Sequence, residues 1–351
     1  MEHEIKALIE RYYASTGIEA LDELILGWRR GGVSLLYGNF KSGKTTLATF
    51  ASVMAMSGGK HALYVDTENA MTPIRVYMLA KAMREKGLIS NSPDISALFH
   101  LYNVSSLAEQ HDVVMNEVSE KLSSMNVGLV VIDSVANFFH SRVLQAPREY
   151  VAAVAREVMG KISTEVSHLQ TICGRREIPV IVTTWNASKA GYALAQWQKQ
   201  RLVSEIRKGK ASREEIIANL ETLLGADYMT DFIGGQFLGY RAHILLRLFR
   251  LAGPRRFAYL AAHRDRPDGY GLYMTVTEAG LLPEPGAKPL RVDQILYGSL
   301  EEEERREVER EVGAGPAQPE QVEPGPAEEP SSERGRGRSG RRGRRTDIRP
   351  T

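Results

Sequence analysis

Gly38-Asn39-Phe40-Lys41-Ser42-Gly43-Lys44-Thr45 sets two glycines, a lysine and a hydroxyl residue at the spacing of a phosphate-binding loop. An apolar run, Val33 to Tyr37, precedes it, and a helix-like run, Leu47 to Met56, follows. A glycine turn between a buried strand and a helix N-terminus aims backbone N–H groups and the positive end of the helix dipole at one point, where a triphosphate can sit. Residues Gly38 to Thr46 would then cradle the phosphates. Lys44 would reach the β and γ phosphates, and Thr45 would put its hydroxyl on Mg²⁺.

Two carboxylates could complete such a site. Asp133 ends the run Gly128-Leu-Val-Val-Ile132. At a strand's carboxyl end, facing the loop, it can hold Mg²⁺ through the ion's water shell. The plainer role is a helix cap, which Ser134 could serve equally well. Glu68 closes Leu63-Tyr-Val-Asp-Thr-Glu68, after the strand that follows the first helix of the phosphate site. A carboxylate there can orient and deprotonate the attacking water, while the metal and Lys44 offset the charge developing on the phosphoryl oxygens. The alternative is that Asp66 or Glu68 caps a helix beginning near Pro73.

The elements that must position these groups alternate along the chain. Val33 to Tyr37, Ala62 to Val65, Ala97 to Tyr102, Leu129 to Ile132 and Val180 to Val182 read as strands buried on both faces. Helical patterns lie at Thr45 to Met56, Pro73 to Glu85, Ser106 to Ser124 and Tyr150 to Thr171. This alternation predicts an α/β fold, a mostly parallel twisted sheet flanked by helices, with ligands at the carboxyl ends of its strands. His243 to Arg250, Arg256 to Ala262 and Gly271 to Thr277, separated by turn signals, predict an antiparallel edge in the C-terminal third.

Composition bounds the rest. The chain has 351 residues, 43% of them hydrophobic, and a formal net charge of +2. The single cysteine, Cys173, excludes an internal disulfide and a cysteine-based zinc site. There is no apolar run of signal-peptide or membrane-spanning length, so a soluble, cytoplasmic setting and no membrane partner are expected. Residues 1–14 read as a leading helix and 15–300 as the core, interrupted by a charged helical insertion at 186–235. Residues 301–351 form a tail, acidic up to Glu333 and then dense in arginine, eight between Arg334 and Arg349 against the single acid Asp347. Such a segment has too few apolar residues to offset the entropy of ordering.

Taken together, these residues resemble the RecA/RadA superfamily of recombinase ATPases. Ser15-Thr-Gly-Ile-Glu-Ala-Leu-Asp-Glu-Leu24 and Gly31-Gly-Val-Ser-Leu-Leu-Tyr-Gly38 are similar to the start of its core, and Asp66-Thr-Glu-Asn69 to the segment with its catalytic glutamate. Arg256-Phe-Ala-Tyr-Leu260, His263-Arg-Asp-Arg-Pro-Asp-Gly269 and Thr275-Val-Thr-Glu-Ala-Gly280 resemble archaeal RadB-like paralogues. The resemblance covers roughly Ser15 to Leu282. It implies a RecA-like P-loop NTPase core with ATP and Mg²⁺ as cofactors, acting on DNA in recombinational repair. It also implies that Arg75 stacks on adenine, a contact suited to a planar guanidinium, where the plainer role is a solvated helix arginine. Arg264 matches the position from which a basic finger enters the neighbouring subunit's site. Arg266 is a second candidate, and both could instead be surface charges.

The chain departs from the family at several places. Where a Thr-Asn-Gln switch is common, it reads Thr183-Thr-Trp-Asn186, which either leaves γ-phosphate sensing to Thr184 or Asn186 or weakens it. Ala262 stands where a lysine precedes the finger, and Lys41 replaces a small residue in the loop. The stretch before Ser15 holds neither the helical DNA-binding domain nor an aromatic polymerisation motif. A DNA-dependent ATPase that acts as recombinase paralogue or mediator is therefore expected, nucleoid-associated, with the main recombinase or its own copies as partner through the ATP interface. The insertion, with Trp185, Tyr192 and Trp197, either binds single-stranded DNA by phosphate contact and stacking or forms an amphipathic hairpin. The arginine tail suits polyanions. The rivals are a KaiC-like signalling ATPase that works without DNA and a non-hydrolysing ATP-bound scaffold.

Overall fold

Strand β3 (Val33–Tyr37) is buried at every position, as a run of five apolar and small side chains requires when both faces of a sheet are covered. The computed structural model describes residues 2–147, 149–186 and 232–292. Most of the 186–235 insertion and the whole 301–351 tail lie outside the described residues. The described residues belong to one unit, Met1–Ser299.

Helix α1 (Glu2–Tyr12) leads through β1 (Tyr13–Ala14), α2 (Glu19–Ile25) and β2 (Trp28–Arg29) to β3, and β1 and β2 form a small separate antiparallel pair. Then come α3 (Lys44–Ser57), β4 (His61–Asp66), α4 (Pro73–Glu85), the single turn α5 (Ile95–Leu98) and β5 (Phe99–Asn103). Next are α6 (Leu107–Asp112), α7 (Val118–Ser124), β6 (Val127–Asp133), α8 (Asn137–Gln145), α9 (Val151–Arg176) and β7 (Val180–Thr184). The C-terminal part adds α10 (Gly235–Arg241), β8 (Ala242–Arg250), β9 (Arg255–His263), β10 (Tyr270–Thr277), β11 (Gly280–Pro283) and β12 (Leu290–Arg291).

The main sheet runs β5-β4-β6-β7-β3-β8-β9-β10-β11, with β12 also paired to β10. From β5 to β8 every pairing is parallel, and from β8 onward every pairing is antiparallel. The expected mostly parallel sheet with an antiparallel C-terminal edge is thus the observed fold. Strand β8 belongs to both halves, parallel to β3 and antiparallel to β9.

Alternation along the strands divides the core in two. Leu36, Tyr64, Val131, Ile181 and Leu246 face one side, where they meet Phe50 of α3 and Val76 and Met83 of α4. Their neighbours Leu35, Val65, Ile132, Val182 and Leu245 face the other, against Val118 of α7 and Val158, Ile162 and Leu169 of α9. A period of two in side-chain direction sends consecutive apolar residues to opposite helical layers.

Strands β4, β6 and β7 run one or two residues past the expected bounds, and three further differences are larger. The strand expected from Ala97 begins at Phe99, because the Asp94 carboxylate accepts the Ala97 N–H (3.2 Å) and starts a helical turn first. The helix expected from Ser106 to Ser124 widens to a π turn at Val113–Glu117, between α6 and α7. Helix α9 continues past Thr171 to Arg176 and ends at Glu177 in the left-handed conformation (φ 57°).

Candidate active site

The register of the parallel strands brings their carboxyl ends into one row. Tyr37 lies beside Thr184, Ile132 beside Val182, and Asp66 beside Asp133. The segments leaving β3, β7, β6 and β4 therefore meet on one edge, in the order 38–45, 185–186, 134 and 67–68. Strands β6 and β7 stand between β3 and β4, so the strand ends that carry the phosphate loop and Glu68 are three strand spacings apart, roughly 14 Å. A cavity of about 380 Å³ occupies that gap, the size of a small-ligand site.

The loop itself depends on backbone conformations that side chains resist. Gly38 has φ 153°, and a Cβ there would lie 2.2 Å from the Leu248 carbonyl oxygen. Gly43 (φ 107°) precedes the first residue of α3 without a side-chain cap, so the amides of the first turn, which lines the cavity, find no side-chain acceptor at the cap position. Lys44 is 8% exposed, and its Nζ donates to the Gly38 (2.9 Å) and Asn39 (3.1 Å) carbonyls. Burial lowers its proton affinity, an effect partly offset by Asp133 and Glu68. Phe40, Lys41, Ser42, Gly43, Thr45 and Thr46 line the same cavity, and Lys41 takes a left-handed backbone (φ 60°).

Asp133 is buried. Its Oδ2 accepts the Tyr64 hydroxyl (2.6 Å) and its Oδ1 the Thr183 hydroxyl. Each oxygen keeps a lone pair for a water or an ion. Neither Asp133 nor Ser134 caps α8, whose N-cap is Ala136 and carries no side-chain bond. Ser134 instead donates its hydroxyl to Glu68 Oε1 (3.1 Å). Glu68 and Asp66 do not cap α4 either. Thr72 does so, accepting the Arg75 N–H (3.2 Å) ahead of Pro73, while Asp66 accepts the Glu68 and Met71 N–H groups and shapes the loop between. Burial, then the Asp133 charge, raises the Glu68 carboxyl above the usual range, and Trp185, Ser134 and Lys44 pull it back.

The cavity thus gathers Lys44, Thr45, Glu68, Asp133 and Arg75. Arg75 reaches it with its Nη1 on the Ala70 carbonyl (3.3 Å). Arg264 lies elsewhere: its amide donates to the His243 carbonyl and its Nη2 to the Tyr240 carbonyl (2.9 Å), beside the starts of β3 and β8. That is the opposite end of the sheet from the cavity. Thr184, one of the two expected sensors, is fully buried, donates to the Ile233 carbonyl (2.8 Å) and does not line the cavity. Asn186 Nδ2 donates to Asn39 Oδ1 (2.8 Å) in the phosphate loop. Tyr192 and Trp197 lie outside the described residues.

Two residues at the cavity escaped the sequence reading. Trp185, read there as a DNA-stacking candidate, donates its indole N–H to Glu68 Oε1 (2.8 Å). Its place directly after β7, on the sheet edge that also carries Glu68, was the available signal. Arg256, on β9, is buried against the cavity with Nε unpartnered among the described residues, and its neighbouring charge is the like-signed Arg250. No signal in the sequence separated it from an ordinary strand arginine.

The residues fit a magnesium nucleotide. The Ser42 hydroxyl and Arg256 Nε are buried at the cavity with no partner among the described residues, and a polyanion would satisfy both. Among the described residues no group of three or more His, Cys, Asp or Glu side chains suits an ion. Mg²⁺ would therefore rest on Thr45, on Asp133 through water and on phosphate oxygens, as this hard cation commonly does. No helix among the described residues is long and apolar enough to cross a membrane.

Comparison with known proteins finds the following similarities. The family described as an AAA domain matches residues 2–158. A protein of Pyrococcus furiosus named DNA repair and recombination protein RadB is 30% identical over 274 residues, covering 76% of this chain and 94% of its own length. Its namesake from Thermococcus kodakarensis is 29% identical over 269 residues, covering 76% of this chain and 97% of its own. A crystal structure of the RadB recombinase superposes with a TM-score of 0.52 at 28% identity, covering 77% of this chain and 99% of that one.

Proposed function

The chain belongs to the RadB family of RecA/RadA-type recombinase proteins, and from that premise we propose that it is a DNA-dependent ATPase of homologous recombination and repair, acting as a paralogue or mediator. One observation carries the reading: a phosphate loop, a buried metal-side carboxylate and a second, pKa-raised carboxylate converge on one nucleotide-sized cavity.

Glu68 takes the proton of the attacking water as its oxygen bonds to the γ-phosphorus and the bond to the β-phosphate oxygen breaks. General bases of this kind contribute roughly 10²–10⁴-fold. Lys44 exchanges its two loop carbonyls for phosphate oxygens, and Thr45 and Asp133 would hold Mg²⁺, which supplies charge neutralisation when bound. Arg75 packs on the adenine, and Arg264 completes the site of a neighbouring subunit.

The test is ATP turnover of the full chain with and without a single-stranded oligonucleotide. Several-fold stimulation is expected, and it should weaken steeply with salt. Turnover indifferent to DNA would support the KaiC-like reading instead, and absent turnover the scaffold.

A further inference from the structure

Glu68 is held from two directions, and both donors take the same oxygen. Ser134, just after β6, and Trp185, just after β7, converge on Oε1 at 3.1 and 2.8 Å. The indole N–H can only donate, so this contact favours the ionised carboxylate, whereas the serine hydroxyl can turn either way.

Trp185 is itself anchored. Its carbonyl accepts the Ile233 N–H (2.9 Å), Thr184 before it bonds the Ile233 carbonyl, and Asn186 after it forms an antiparallel bridge to Phe232 and donates to Asn39. A donor fastened on both sides fixes its acceptor more firmly than a free side chain does.

We propose that Trp185 is a positioning residue for the hydrolytic reaction: with Ser134 it clamps Oε1 of Glu68, fixing the carboxylate plane and reserving Oε2 for the attacking water. This rests on the reading of Glu68 as the base. The chain thus meets its nucleotide site with an indole that grips the carboxylate.

Removing a donor from an ionised carboxylate raises its proton affinity. Trp185→Phe keeps the ring and deletes the N–H. In the full chain it should lower kcat for ATP by roughly three- to tenfold and move the acid limb of the kcat profile to higher pH by about half a unit to one unit, with KM for ATP little changed. Trp185→Gln, which restores a donor, should return the limb toward its original position, an effect a purely structural role would not produce. As a second readout, Glu68→Ala should change the tryptophan emission of the parent chain and leave that of the Trp185→Phe chain unaltered.

Unchanged kcat and pH limb in Trp185→Phe, with turnover still abolished by Glu68→Gln, would overturn the clamp and leave Glu68 as base. Emission indifferent to Glu68→Ala would overturn it as well. Turnover surviving Glu68→Gln would remove the base and the clamp together.

Discussion

At the scale of single residues, Glu68 is the group whose electrostatics are most informative. Burial and the Asp133 charge push its proton affinity up, and Trp185, Ser134 and Lys44 oppose them without cancelling them. Only the deprotonated carboxylate can accept a proton from water. As pH falls through a raised pKa, the base is lost earlier than an ordinary glutamate would be. Turnover should therefore decline on acidification with a single-proton limb centred above about 4.3, the usual glutamate value, as a pH profile of kcat under saturating MgATP will show. A limb at or below that value would contradict the burial argument. Lys44 shifts the opposite way for the same reason, since burial disfavours charge of either sign. Cys173, pushed up to about 12 by burial on the core-facing side of α9, stands apart from the chemistry as an inert core thiol.

At the scale of elements, what could be read from the sequence was whatever local pattern dictates. Val33 to Tyr37 announced a buried strand, Gly38 and Gly43 a turn that only glycine tolerates, and Asp66 and Asp133 the ends of apolar runs. The parallel sheet followed from alternation of strand and helix. The contacts across strands were not readable, because they depend on strand order. Placing β6 and β7 between β3 and β4 is what sets Ser134 and Trp185 against Glu68, the latter across 117 positions of sequence. The helix caps were not readable for a similar reason. Asp66, Glu68, Asp133 and Ser134 all had suitable chemistry, yet Thr72 caps α4 and no side chain caps α8. The π turn at Val113–Glu117 has no local signal either. It lies where α6 and α7 pack over Glu165 of α9, whose fully buried carboxylate accepts the Gln110 amide (2.6 Å) and bonds His111.

At the scale of the whole molecule, the sheet separates the nucleotide cavity from Arg264 by its full strand length, because β8 runs parallel to β3 and Arg264 pairs with His243 at the start of β8. A guanidinium so placed cannot serve its own site. If it serves a neighbour's, specific activity should rise with protein concentration, and Arg264→Ala should flatten that dependence and cost roughly tenfold or more in turnover at high concentration. Activity per subunit that is constant over a hundredfold dilution and untouched by the substitution would assign Arg264 to the surface. The central claim, that this chain binds a magnesium triphosphate beneath Lys44 and uses Glu68 to hydrolyse it, is tested most directly by pairing MgATP calorimetry with turnover for the parent and Glu68→Gln chains. Affinities equal within about threefold and turnover reduced by roughly a hundredfold or more are expected. Unchanged turnover in Glu68→Gln, or no heat of MgATP binding to the parent chain, would contradict it.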